Sequence, residues 1–151
     1  MTKLTVPSAY SERVLPSLSF YLAALFVPAA LFLVALPFSE IFPFVAAAGS
    51  YFTIILVTVI KAPKISIGHA RLKVGTAAIA LSALGRASSI EREDQFSEKS
   101  QKLSPFAFTK FQIGIKGLVK IEVNDPADPT PYWLVSTRHP EVVVSYLNAK
   151  R

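Results

Sequence analysis

The sequence contains no cysteine. Disulfide staples, thiolate nucleophiles and cysteine-ligated metals are therefore excluded. Histidine is nearly absent as well: His69 and His139 are the two present, and they lie far apart in the chain. No cluster of residues has metal-ligand spacing, so neither metal nor cofactor is expected. Glycine-rich phosphate loops, the HExxH zinc signature and nucleophile elbows are missing too. The most informative absence is charge. No charged side chain occurs from Val14 to Ser39, and after Glu40 none occurs from Ile41 to Ile60.

What fills those gaps is apolar. Of 151 residues, 52% are hydrophobic and 17% charged, an unusual balance for a soluble domain. Leu18 to Leu36 reads LSFYLAALFVPAALFLVAL, and Ile41 to Ile60 reads IFPFVAAAGSYFTIILVTVI. At ~1.5 Å per residue, about 20 helical residues cross a hydrocarbon core of about 30 Å. Each run is long enough, and a helix satisfies its own backbone polar groups where water is absent. The expected fold class is an α+β membrane protein. It comprises a cytoplasmic N-terminal segment (1–16), a transmembrane hairpin (17–61, with helices at about 17–36 and 41–60) and a small cytoplasmic β-rich domain (62–151).

The joint Pro37–Glu40 is too short for anything but an antiparallel pair of helices. It holds one acid and no base, whereas Lys3 and Arg13 precede the spans and Lys61, Lys64, Arg71 and Lys73 follow them. The positive-inside rule then puts both termini in the cytoplasm of a multi-pass protein of the cell (plasma) membrane. Pro28 should bend the first helix. Ala46–Ser50 offers small side chains for packing within the hairpin or for self-association. Tyr51, Thr53 and Thr58 are the notable polar groups of the second span and read as packing residues, which argues against an ion path.

From Lys61 onward the chain carries 14 Lys and Arg against 8 Asp and Glu, so the formal net charge of +6 resides there. Bases near an anionic leaflet attract it. Lys61, Lys64, Arg71, Lys73 and Arg138 are candidate contacts for lipid headgroups or a small anion. The bases are scattered and lack interleaved aromatics, so nucleic acid is not expected as a partner.

Strand signals dominate this region. KISIGHARLKVG alternates about a turn at Gly68 and His69, and TAAIAL follows beyond Gly75. Ser82–Ser89 is ambiguous between turn and helix. The mixed-charge stretch Glu91–Lys102 reads as an exposed, mobile loop. FAFTKF offers Phe106, Phe108 and Phe111 for burial. GLVKIEV and YWLVST, Tyr132–Thr137, should pair antiparallel. Pro140 suits the first turn of a closing helix, in which Val142, Val143, Tyr146 and Leu147 form the buried stripe and Lys150 and Arg151 suit the negative end. A sheet of roughly five to seven strands capped by one helix is the shape of a pleckstrin-homology-like (PH-like) module.

The segment DPADPTPYWLVSTRHP concentrates the remaining candidates. Asp125 and Pro126, then Asp128 and Pro129, each couple an Asx-turn former to a proline with preset φ, and Pro131 biases Thr130 toward extended backbone. The result is a stiff connector. Tyr132 and Trp133 serve either as core aromatics or as anchors at the headgroups. Ser136, Thr137, Arg138 and His139 precede the helix that begins at Pro140, where an anion such as a lipid phosphate would be favoured. A catalytic reading needs Asp128 to orient His139 as a base. Turn formation and capping explain the same residues, so no catalytic group is expected.

YSERVLP before the first span, ARLKVGTAAI after the second, and above all DPADPTPYWLVSTRHP resemble the family DUF3093, a group of actinobacterial membrane proteins. The resemblance covers nearly the whole chain. It implies an actinobacterial source and two spans, and supplies no activity. Family members often carry tryptophans just after the first motif, where this chain has Ser17, Leu18, Ser19 and Phe20. The function expected is therefore noncatalytic: a membrane-tethered interaction module or accessory subunit, working with the bilayer and a membrane protein complex. The alternatives are an anionic-lipid or small-anion binding domain and, more remotely, an enzyme using Asp128 and His139.

Overall fold

A computed structural model describes residues 10–149; Lys3, Lys150 and Arg151 lie outside the described residues. The chain divides into two compact units. One is Leu15–Ala62; the other is built from the residues on both sides of it. The fold is α+β, with two long apolar helices near the N-terminus and a β-rich region that ends in a helix.

The helical unit is a hairpin. Its first arm is split into α1 (Leu18–Ala24) and α2 (Phe26–Ala35), and its second is the continuous α3 (Phe42–Lys61). The regular helix is interrupted at Leu25, whose φ of −64° and ψ of −19° stay in the right-handed helical region. Pro28 has no N–H to give the carbonyl of Ala24, four residues earlier, and the Leu25 N–H turns instead to Leu22 O at 3.2 Å. Tyr21, Ala24, Pro28, Phe32 and Ala35 recur at helical spacing as the more buried side chains of the first arm. Pro43, Ala47, Ser50, Ile54 and Thr58 do the same on α3. A Tyr21 hydroxyl to Thr58 Oγ1 contact of 3.2 Å ties one end of this seam. The Phe32 and Phe44 rings meet edge to face, 5.1 Å apart, at the other. Thr53 and Thr58 also donate back to the carbonyls of Gly49 and Ile54. Both arms are long and apolar enough to cross a membrane, yet only 11% and 6% of their apolar windows are buried.

Among the described residues the second unit holds eight strands in two four-stranded sheets. The first sheet has the order β1 (Tyr10–Arg13), β2 (Lys64–Ile67), β3 (Arg71–Val74), β4 (Ala77–Ala80), all antiparallel. Gly75, at φ 62°, makes the two-residue turn from β3 to β4, a conformation that glycine adopts without cost. The second sheet has the order β5 (Leu84–Ser89), β7 (Gly117–Val123), β8 (Tyr132–Thr137), β6 (Phe108–Lys110). β7 pairs antiparallel with both neighbours, and β6 runs parallel to β8. A short helix α4 (Gln95–Lys99) follows β5, and α5 (Pro140–Ala149) ends the described chain.

One core joins these layers. Ile65, Ile67, Leu72 and Val74 of the first sheet cluster with Val119, Ile121, Trp133 and Val135 of the second and with Val143, Tyr146 and Leu147 of α5. The opposite face of the second sheet is also covered, since Leu118, Tyr132 and Leu134 pack under Ile90, Leu103 and Ala107. Two covered faces make every residue of β8 buried. Asn148 fastens α5 to β5 by a pair of hydrogen bonds with the Ala87 backbone, at 3.0 and 3.2 Å.

Several expectations are corrected here. Tyr10–Arg13 is not a separate N-terminal segment but an edge strand of the first sheet, so the β-rich unit is discontinuous in sequence. Ser82–Ser89 is chiefly strand β5. Val142 is exposed and leaves the stripe to Val143, Tyr146 and Leu147. Phe106 and Phe111 are exposed, and Phe108 alone packs against the core, its ring 4.4 Å from that of Trp133. Glu91–Lys102 is no free loop. It contains α4, and Glu98 is buried there with its carboxylate 2.8 Å from Lys120 Nζ.

Candidate functional site

Strand alternation turns Tyr10 and Glu12 to the same side of β1, and their register partners Ile67 and Ile65 are buried. Glu12 therefore enters the unit rather than pointing to water, where it meets the end of β8. The Glu12 carboxylate accepts three hydrogen bonds: from the Tyr10 hydroxyl at 2.9 Å, from the Thr137 hydroxyl, and from the Arg138 backbone N–H at 2.9 Å. Thr137 is wholly buried, and its Oγ1 accepts in turn from the His139 N–H at 3.2 Å. A buried hydroxyl with both partners in place avoids the penalty of an unmatched polar group. The same polar knot shifts Tyr10. Burial, then the hydrogen bond to Glu12 and its negative charge, push the phenol up to about 12, against a smaller opposite pull from Thr137.

The proline-rich connector behaves as a pair of Asx turns. Asp125 Oδ1 accepts the Ala127 N–H at 3.0 Å, and Asp128 Oδ1 accepts the Thr130 N–H at 2.9 Å. The bonds from Thr130, backbone first and side chain second, hold the Asp128 carboxyl below its ordinary range. No hydrogen bond or ion pair joins Asp128 to His139 among the described residues, so the structure does not bring the proposed acid–base pair together. Nor does any group of three His, Cys, Asp or Glu side chains converge on a metal site among those residues.

Tyr132 and Trp133 are core aromatics. The Tyr132 hydroxyl donates to Lys102 O at 3.0 Å and accepts the Ser104 N–H at 2.8 Å, while Lys120 Nζ sits 4.4 Å from its ring centre. Gln95 adds a bond of 2.6 Å to Lys116 O. These contacts hold the 95–104 segment against the second sheet.

The five candidate anion contacts fall in three places. Lys64, Arg71 and Lys73 are exposed on the outer face of the first sheet, where β1 contributes Arg13. Lys61 belongs to the last turn of α3, in the helical unit. Arg138 instead lines an open groove of about 330 Å³ at the start of α5, with Arg92, Gln95, Lys116 and Glu141. Gly117 lines the same groove, and a Cβ there would overlap Thr137 O and approach the Pro140 ring at 3.0 Å. Of Ala46–Ser50, Ala47 and Ser50 turn into the hairpin seam, while Ala48 and Gly49 are exposed.

Sequence reasoning gave Glu12 no role and used Arg13 only as a base flanking the first span. A four-residue strand, flanked by a long apolar run, is too short to show a period of two against its surroundings. Neither a curated protein nor a solved structure matches this chain. A family model does match, over residues 9–147, and it spans both YSER and STRHP, the two motifs joined by Glu12. The chain belongs to that family, described as protein of unknown function (DUF3093).

Proposed function

We propose that this chain is a non-enzymatic integral membrane protein. Its hairpin spans the plasma membrane twice with both termini cytoplasmic, and its β-rich unit serves as a tethered interaction module or accessory subunit. One observation carries the reading. The hairpin is inserted between two paired strands, β1 and β2, whose Arg13 and Lys64 are register partners, with Val14 N–H continuing the ladder to Pro63 O at 2.9 Å. A module built on both sides of its anchor cannot separate from it. The largely uncovered apolar surface of the hairpin supports insertion in lipid, which would cover what no protein contact does. The charge asymmetry between the Pro37–Glu40 loop and the flanks supports the orientation.

Two sheets closed by a C-terminal helix also favour a PH-like reading of the module. Affinity purification from membranes in mild detergent tests the assignment. Co-purification of a stoichiometric membrane partner is expected. A catalytic turnover traced to Asp128 and His139 would contradict it.

A further inference from the structure

The outer face of the first sheet is built almost entirely from bases and small side chains. Alternation turns Ile65, Ile67, Leu72 and Val74 inward. It leaves Arg13, Lys64, Arg71 and Lys73 exposed on the other side, with Ser66 and Ala78 in register beside Lys73. The one acid in these four strands, Glu12, faces inward and is consumed by Thr137 and Arg138. None of the four bases forms an ion pair among the described residues. Four like charges on one sheet face repel one another, and no ion pair among the described residues neutralises them. That arrangement calls for an external anionic surface.

We propose that this face, Arg13, Lys64, Arg71 and Lys73, is a docking surface for anionic phospholipid headgroups. The proposal deepens the membrane-tethered reading and rests on it. Chain connectivity favours lipid over a soluble acidic partner. Arg13 lies five residues before Leu18 and Lys64 three residues after Lys61, the boundaries of the two apolar arms. At ~3.5 Å of reach per residue, neither base can leave the neighbourhood of the headgroup layer. The bilayer is thus present at high effective concentration at all times, and each base near an anionic leaflet strengthens attachment about fivefold. The neighbouring Ser and Ala side chains leave the bases unobstructed. No aromatic stands among them to stack a nucleic-acid base.

The absence of cysteine makes the test direct. The full chain carrying Ala78→Cys is labelled with one fluorophore and reconstituted in nanodiscs that contain a headgroup-nitroxide lipid as quencher. Ser145→Cys on α5, exposed and outside this face, is the reference. In discs containing phosphatidylglycerol, quenching at position 78 should exceed that at 145 several-fold. It should fall in discs of phosphatidylcholine alone and in ~0.5 M salt, where screening shortens to a few ångströms. The triple variant Lys64→Gln, Arg71→Gln, Lys73→Gln should abolish the excess, and Arg92→Gln with Lys116→Gln should leave it. Equal quenching at the two positions, or indifference to lipid charge, overturns the proposal. Displacement by inorganic phosphate at matched ionic strength also overturns it, in favour of a small-anion site among Ser66, His69, Arg71 and Lys73, which line a recess of about 290 Å³. A chain that never enters the discs removes the two-span reading itself, a failure recognisable before any quenching is read.

Discussion

Glu12 and Thr137 stand 125 positions apart in sequence and share one hydrogen bond. That bond links the strand before the hairpin to the last strand of the second sheet, and Arg138 and His139 extend it to the start of α5. Replacing Glu12 with Ala strips partners from the buried Thr137 hydroxyl and from the Arg138 N–H, at a cost of about 1–3 kcal/mol. Thr137→Val should cost a similar amount, but the double variant should lose less than the sum by at least ~0.5 kcal/mol, as expected of one network. Unfolding in mild detergent followed by Trp133 fluorescence measures all three. Full additivity would show that the two residues act separately.

The knot also sets an alkaline limit. The Tyr10 phenol is raised from its ordinary 10.0 to about 12, so the folded chain holds this proton more tightly than the unfolded chain does. Its contribution to stability is complete below pH 10 and declines as pH rises from 10 through about 12. Tyr10→Phe removes the titrating group and should flatten that decline. Thermal unfolding of both proteins across this range reads the difference.

Glu98 sets the acid limit by the opposite sign. The hydrogen bond from Lys120, with the charges of Lys120 and Lys102, holds its carboxyl below the ordinary 4.5 despite burial. Its contribution is complete above that value and is lost as pH falls through the depressed one. Glu98→Gln should weaken the protein near neutrality and remove this part of its acid sensitivity. Hydrogen exchange in 95–104 should report the loss first, because Glu98 anchors that segment.

Gly117→Ala should be costly although the change is a single methyl. The added carbon would overlap Thr137 O, a backbone atom that cannot swing aside. Overpacking of this kind costs about 1–3 kcal/mol. Gly49→Ala in the hairpin is the control, because a Cβ there meets nothing within 4 Å. Comparable losses at the two positions would contradict the packing described.

The large features were legible in sequence because their signals are long or strongly periodic. Two uncharged runs of about 20 residues announce the two apolar helices. Alternation in KISI, RLKV and GLVKIEV and the strand composition of YWLVST announce strands, and the Asp-Pro pairs announce their turns. What escaped depends on contacts across the chain. YSER gains meaning only when β2 returns beside it after the hairpin. The bases appeared scattered because sequence distance hides that Arg13, Lys64, Arg71 and Lys73 share one sheet face, while Arg138 belongs to a different groove. Glu91–Lys102 read as solvated charge because nothing local reveals that Lys120 awaits Glu98. Its composition is that of a loop, and its structure comes from a distant partner.

Orientation of the hairpin is the claim on which the rest depends, and single-cysteine accessibility in intact cells tests it most directly. With no native cysteine as background, Ser39→Cys in the hairpin loop and Ser145→Cys on α5 can each be probed with a membrane-impermeant maleimide. Labelling at position 39 in intact cells, with position 145 reacting only after lysis, is the predicted result. Labelling at position 145 from outside, or free extraction of the chain by alkaline carbonate, would contradict it.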